Sequence, residues 1–180
     1  MENKDKVREQ VNKLILWYFP DEFIPTINAW LDDGGFFDAP ASTKYHGSYP
    51  GGLAEHSLAV AKNLHKLTTS LGLKWGRKGS PFIVGLLHDV CKMDQYKQLP
   101  NGGYEFKRDS IFSHHGEKSI CMLAPIIQLT PEEVACIRWH MGAYETDTNE
   151  WAYYGNAIDK YPSVLWTHTA DMMASHIDKI

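Results

Sequence analysis

The sequence predicts an all-α fold with one minor β-hairpin, and three observations carry that reading. Apolar residues recur at helical spacing through most of the chain, Gly and Pro punctuate them at short intervals, and a single Asn-Gly is flanked by strand-like residues. The 180 residues are 43% hydrophobic and 22% charged, which is ordinary globular usage and excludes disordered and fibrous classes. They are expected to form a single domain over 1–180, with helices over 1–35 and a motif-bearing core over about 46–175.

Val7, Val11, Leu14, Ile15 and Tyr18 mark a first helix that Pro20 stops. A second is expected over Asp21–Leu31, with Pro25 in its first turn and Gly34-Gly35 closing it. Residues 36–52 read as loop because of Pro40, Gly47, Pro50, Gly51 and Gly52. Leu53, Val60, Leu64 and Leu67 then share one helix face that ends near Gly72. Ser80-Pro81 reads as an N-cap and first position for a helix through Val90. Asn101-Gly102 is expected to turn a hairpin between Tyr96–Leu99 and Tyr104–Phe106, within residues 95–107. Helices follow at about 115–125 and 131–141, the latter opened by the capping-box-like Thr130-Pro131-Glu132-Glu133. Residues 142–161 read as irregular, and a last helix runs from Pro162 to about Ile177.

Lys plus Arg number 18 against 22 Asp plus Glu, a formal charge of −4, which argues against a duplex nucleic-acid binder. A small phosphorylated ligand stays compatible with that balance where a metal supplies positive charge. Cys91, Cys121 and Cys136 have no paired spacing and read as small core residues in a reducing compartment. The charged N-terminus carries no signal-peptide pattern and no apolar run reaches membrane-spanning length. The expectation is a cytoplasmic protein with no membrane partner. The oligomeric state is left open, a homo-oligomer included.

Nine histidines are the unusual count. His56 shares the buried face of Val60 and Leu64, and His88-Asp89 ends an apolar run. His115 opens one helix, His140 closes the next, and Asp171 lies on the inward face of the last. A lone histidine on an apolar face is more often a satisfied core residue than a ligand. Several imidazoles and two carboxylates from five helices are harder to satisfy by hydrogen bonds alone, and the usual compensation is each other or a metal. Mixed imidazole and carboxylate ligation suits Mn, Fe, Co, Ni or Zn, with Mg admitted as well.

The ordered set His56, His88-Asp89 and Asp171 resembles the H…HD…D signature of the HD-domain metal-dependent phosphohydrolases. The flanks agree: Tyr49-Pro-Gly-Gly-Leu-Ala-Glu-His56, Leu86-Leu-His-Asp-Val-Cys-Lys92 and Thr169-Ala-Asp171 are similar to the corresponding family segments. Ser113-His-His115-Gly-Glu-Lys and Ile137-Arg-Trp-His140 resemble members holding a second metal. The resemblance implies an HD-type helical bundle with one or two divalent transition metals. His56, His88, Asp89 and Asp171 would hold the first, and His115 and His140 would complete a second site bridged by Asp89. Of the adjacent His114 and His115 only one is expected to be a ligand, because side chains diverge by about 100° along a helix; His115 is taken as that one.

Two metals about 3.5–4 Å apart can clamp a phosphate and activate water. With Asp89 in the catalytic role, Lys92 reads either as a cation for the phosphoryl oxygens or as a solvated surface lysine. His46 reads as a group that meets phosphate or leaving group, and His168 as a support for the ligands or a core histidine. His65 reads as solvated. Trp17, Trp30, Trp139, Trp151 and Trp166 are expected mostly in the core. Tyr144, Trp151, Tyr153 and Tyr154 either wall the pocket or pack a loop.

The expected activity is hydrolysis of a phosphomonoester or phosphodiester by a metal-activated water. Its substrate is expected to be a small phosphorylated partner, a nucleotide or short single-stranded nucleic acid. The alternatives are an HD-type di-iron oxygenase and a non-catalytic metal or nucleotide sensor, since His/Asp ligation serves all three.

Overall fold

A computed structural model describes residues 4–100, 102–108, 111–144 and 148–180, with only the backbone of Tyr144. The element order is α1 (Lys4–Tyr18), α2 (Ile24–Asp33), α3 (Gly52–Leu71), α4 (Ser80–Leu87), α5 (Lys92–Gln95), β1 (Tyr96–Gln98), β2 (Tyr104–Phe106), α6 (His115–Leu123), α7 (Pro131–Arg138), α8 (Trp151–Lys160) and α9 (Ser163–Met172). A π-helical turn, Met173–Asp178, extends α9. The all-α expectation holds, and the one sheet among the described residues is the antiparallel β1–β2 hairpin. Asn101 of the expected turn lies outside the described residues.

The long helix α3 is the axis of the molecule: α4 and α9 pack along it and α1 covers both α3 and α4. Leu53, Leu58 and Leu64 of α3, Ile83 and Leu87 of α4, and Ile137 of α7 are almost completely buried between these helices. The entry to α3 is tight. Gly51 carries φ +85°, and a Cβ on Gly52 would stand 2.0 Å from the Gly47 carbonyl, so only glycine lets residues 47 and 52 meet. This closure brings His46 over the start of α3.

Several expectations shift. The helix expected through Val90 ends at Leu87, and residues 88–91 form turns before α5. Ser80 does not cap α4; its hydroxyl donates instead to Glu133 Oε1 at 2.8 Å. The capping box at Thr130 does form, with Glu133 N–H donating to Thr130 Oγ1 at 3.2 Å and Thr130 N–H to Glu133 Oε2 at 2.8 Å. The segment read as irregular contains α8. Its inward residues Tyr154, Ala157 and Ile158, with Tyr161 just past its end, pack on the core at helical spacing, while Gly155-Asn156 disguises that period as a turn. Trp17 and Trp151 are exposed rather than core residues, and so is Cys121; Cys91 and Cys136 are buried as expected. Among the described residues no helix is long and apolar enough to cross a membrane.

Candidate metal centre

The polar residues at the centre of the bundle arrive from separate elements because each caps or interrupts an apolar face. His56 and Asp171 project from α3 and α9, His88 and Asp89 follow the last turn of α4, and His140 follows α7. His56, His88 and His140 are fully buried, and Asp89 and Asp171 nearly so. Their rings form a chain, with centroids 5.5 Å apart from His56 to His88 and 4.9 Å from His88 to His140. Two triads of ligand-type atoms result, each drawn together within 4.8 Å: His56, His88 and Asp171, and His88, Asp89 and His140.

The backbone sets the tautomer of all three rings. His56 Nδ1 lies 3.1 Å from the Ile180 carbonyl, His88 Nδ1 3.0 Å from that of Gly85, and His140 Nδ1 2.8 Å from that of Ile137. A carbonyl only accepts, so each Nδ1 carries the proton and donates, and each Nε2 presents a lone pair inward. His56 Nε2 then faces Asp171 Oδ1 at 3.1 Å, and His140 Nε2 faces Asp89 Oδ1 at 3.4 Å. These are acceptor-to-acceptor approaches. The Nε2 atoms of His56, His88 and His140 and Oδ1 of Asp89 are buried with no hydrogen-bond partner. Buried lone pairs without donors are costly, and a second proton on every ring would place like charges about 5 Å apart. A divalent cation resolves both problems at once, so this donor set fits a metal.

Charge around the cluster is arranged to match. Burial would raise the Asp89 carboxyl, but the Lys92 ammonium beside it holds it well below its ordinary range. Lys92 is buried, with its Nζ 2.6 Å from Asp89 Oδ2, so the surface-lysine alternative is excluded. Burial would lower the Lys92 ammonium, and Asp89 outweighs it and raises it. His46 stacks 5.0 Å from the His56 ring, with its Nε2 3.3 Å from Ser175 Oγ. Burial, helped by His56 and Lys92, lowers the His46 ring to about 4.

The structure does not draw His115 into either triad; its Nε2 stands 3.1 Å from the Gln95 side-chain nitrogen. His114 sits with Glu117 and Glu150, the two carboxylates that Arg138 also pairs with. His168 supports His140 from behind: its Nδ1–H donates to the His140 carbonyl at 2.8 Å, and its ring lies against Gly142. His65 is exposed, as expected.

The dihydroneopterin 2',3'-cyclic phosphate phosphodiesterase of Methanocaldococcus jannaschii is 29% identical to this chain, over 46% of this chain and 44% of that one. The match thus spans less than half of the relative's length. No solved structure matches the chain. The HD domain family matches residues 53–179, which include His56, His88-Asp89, His140 and Asp171. The chain belongs to the HD domain family.

Proposed function

We propose that this protein is a metal-dependent phosphohydrolase that cleaves a small phosphodiester of nucleotide type. The observation that carries the reading is the set of buried lone pairs facing one another without a proton between them, at His56–Asp171 and His140–Asp89. The relative's cyclic phosphodiester substrate supports the same reaction class.

A histidine Nε2 has one lone pair, so His88 serves one ion, whereas the two oxygens of Asp89 can serve two. We assign His56, His88, Asp89 and Asp171 to one ion and Asp89 with His140 to a second. His115 stands outside both triads and is not needed for that assignment. A divalent metal held there supplies positive charge to phosphoryl oxygens and acidifies water. The chain's own residues do the rest. The Nδ1–H bonds to backbone carbonyls hold each ring in its ligand tautomer before any ion arrives. Lys92, fixed on Asp89 Oδ2, provides a cation at the wall of the site, where low polarity strengthens its field on a phosphate. His46 lies over His56 as a hydrogen-bonding group for the substrate.

The test is turnover of a panel of phosphomonoesters and phosphodiesters under strict anaerobiosis with Mn²⁺. Hydrolysis of a phosphodiester by wild type, and none by Asp89→Ala, is the expected result. Silence across the panel together with oxygen consumption in air would overturn it.

A further inference from the structure

A cleft of about 350 Å³ adjoins the metal centre through Lys92, with Asp38, Pro40, Tyr96, Gln98 and Tyr104 among its walls. The β1–β2 register pairs Gln98 with Tyr104, and side-chain alternation puts Tyr96, Gln98 and Tyr104 on one hairpin face. The opposite wall is pinned by backbone bonds, from Gly51 N–H to the Asp38 carbonyl at 3.1 Å and from Leu53 N–H to that of Ala39 at 3.0 Å. The cleft is therefore polarised. A buried ammonium stands at the end shared with Asp89, a carboxylate stands in the other wall, and two phenol rings contribute flat apolar surface.

An anionic group belongs at the Lys92 end and is repelled by Asp38, so the far part of a ligand must be flat and bring donors. An ionised carboxylate only accepts. Two adjacent donors on one ring edge, a ring N–H and an exocyclic NH2, match its two oxygens. Guanine and pterin rings present that pair; adenine and cytosine present a single amino donor beside an acceptor. Lys4 pairs with Asp38 Oδ1 in the free protein, and a carboxylate has about four lone-pair sites, so the edge can still be received. We propose that this cleft binds the 2-amino-4-oxopyrimidine edge shared by guanine and pterin rings, with Asp38 as the specificity residue and Tyr96 and Tyr104 as the stacking surface. The orientation rests on the phosphohydrolase reading, because it places the phosphate of the same molecule at Lys92 and the His/Asp cluster.

The experiment is calorimetric titration of the metal-free protein, kept in chelator, with GMP, neopterin, AMP and CMP. GMP, neopterin or both should bind at least about tenfold more tightly than AMP and CMP, the gain expected from an added hydrogen bond to a charged acceptor. Asp38→Asn should reduce that preference to under about threefold, and Tyr104→Ala should weaken every ligand. Equal affinity for all four, no binding by any, or a preference that survives Asp38→Asn would overturn the proposal. No metal is present in this titration, so ring selectivity without phosphoester turnover would sink only the hydrolase reading. Turnover without ring selectivity would sink only the cleft.

Discussion

Gly85→Ala sets two physical effects of opposite sign against each other at the packing of α4 on α3. Helix propensity alone favours the alanine by about 0.8–1.0 kcal/mol. The added Cβ, however, would stand 2.4 Å from Ala61 Cα, 2.7 Å from Ala61 N and 2.9 Å from Ala61 Cβ. Ordinary carbon contacts lie near 3.5–4.0 Å, so α4 must move off α3 by about 1 Å. The obstacle is mostly backbone, so no rotamer change relieves it, and the cost falls at or above the upper end of the 1–3 kcal/mol usual for overpacking. The net expectation is a loss of about 2 kcal/mol, or roughly 4–8 °C in Tm for a chain of this size. Metal affinity should fall with it, because the Gly85 carbonyl orients His88. Gly155→Ala is the control: it lies within α8, and its Cβ would meet nothing within 4 Å. There the propensity gain stands alone, and stability should rise by about 0.5–1 kcal/mol. The assay is urea and thermal denaturation of the metal-free proteins. Equal or greater stability of Gly85→Ala would refute the claim that the close approach of α4 to α3 requires glycine at this position.

The centre was legible in the sequence where spacing and local context coincide. His56, His88, Asp89 and Asp171 each lie on an apolar helix face or at its end, which is why the structure gathers them. His140 stands at the end of an apolar helix, and the structure brings it beside His88 and Asp89. His115 has the same local signature, yet Gln95 faces its Nε2, a contact between segments 20 residues apart that no local pattern encodes. Had α4 continued past Leu87, Lys92 would stand one helical turn beyond His88. The chain turns at residues 88–91 instead and sets Lys92 over Asp89, three residues back, rather than over His88. The hairpin was legible from its turn dipeptide and flanking aromatics. Helix α8 was not, because Gly155-Asn156, between the inward Tyr154 and Ala157, reads as a turn signal. The Nδ1 bonds that choose the histidine tautomers are tertiary for His56 but lie only three residues back for His88 and His140. They depend on backbone carbonyls at helix ends, which residue type does not reveal.

Further outcomes follow from buried groups elsewhere. Burial pushes the thiols of Cys91 and Cys136 up to about 12, whereas Cys121 is exposed, so a disulfide reagent should find one fast thiol in the native protein. A second fast thiol would contradict the packing of α7 and of the turn after α4. Glu133 is fully buried and accepts from the Ser80 hydroxyl and the Thr130 N–H, each at 2.8 Å. Glu133→Ala should cost about 2–4 kcal/mol by urea denaturation and Glu133→Gln about half as much, because the amide keeps an acceptor; values within 0.5 kcal/mol of wild type for both would show that this link between α4 and α7 is inert.

Metal stoichiometry is the most direct test of the central claim, that the lone pairs of His56, His88, His140, Asp89 and Asp171 are ion ligands. Wild type and Asp89→Asn would be saturated with Mn²⁺ or Zn²⁺, desalted and analysed for metal per chain, with circular dichroism confirming the helical fold of each. Asp89→Asn keeps the shape of the side chain but removes its charge and one of its two oxygens. The account predicts one to two ions per wild-type chain and less than half of the wild-type content in Asp89→Asn. A wild-type chain that retains no metal, or an Asp89→Asn chain that retains as much as wild type, would contradict it.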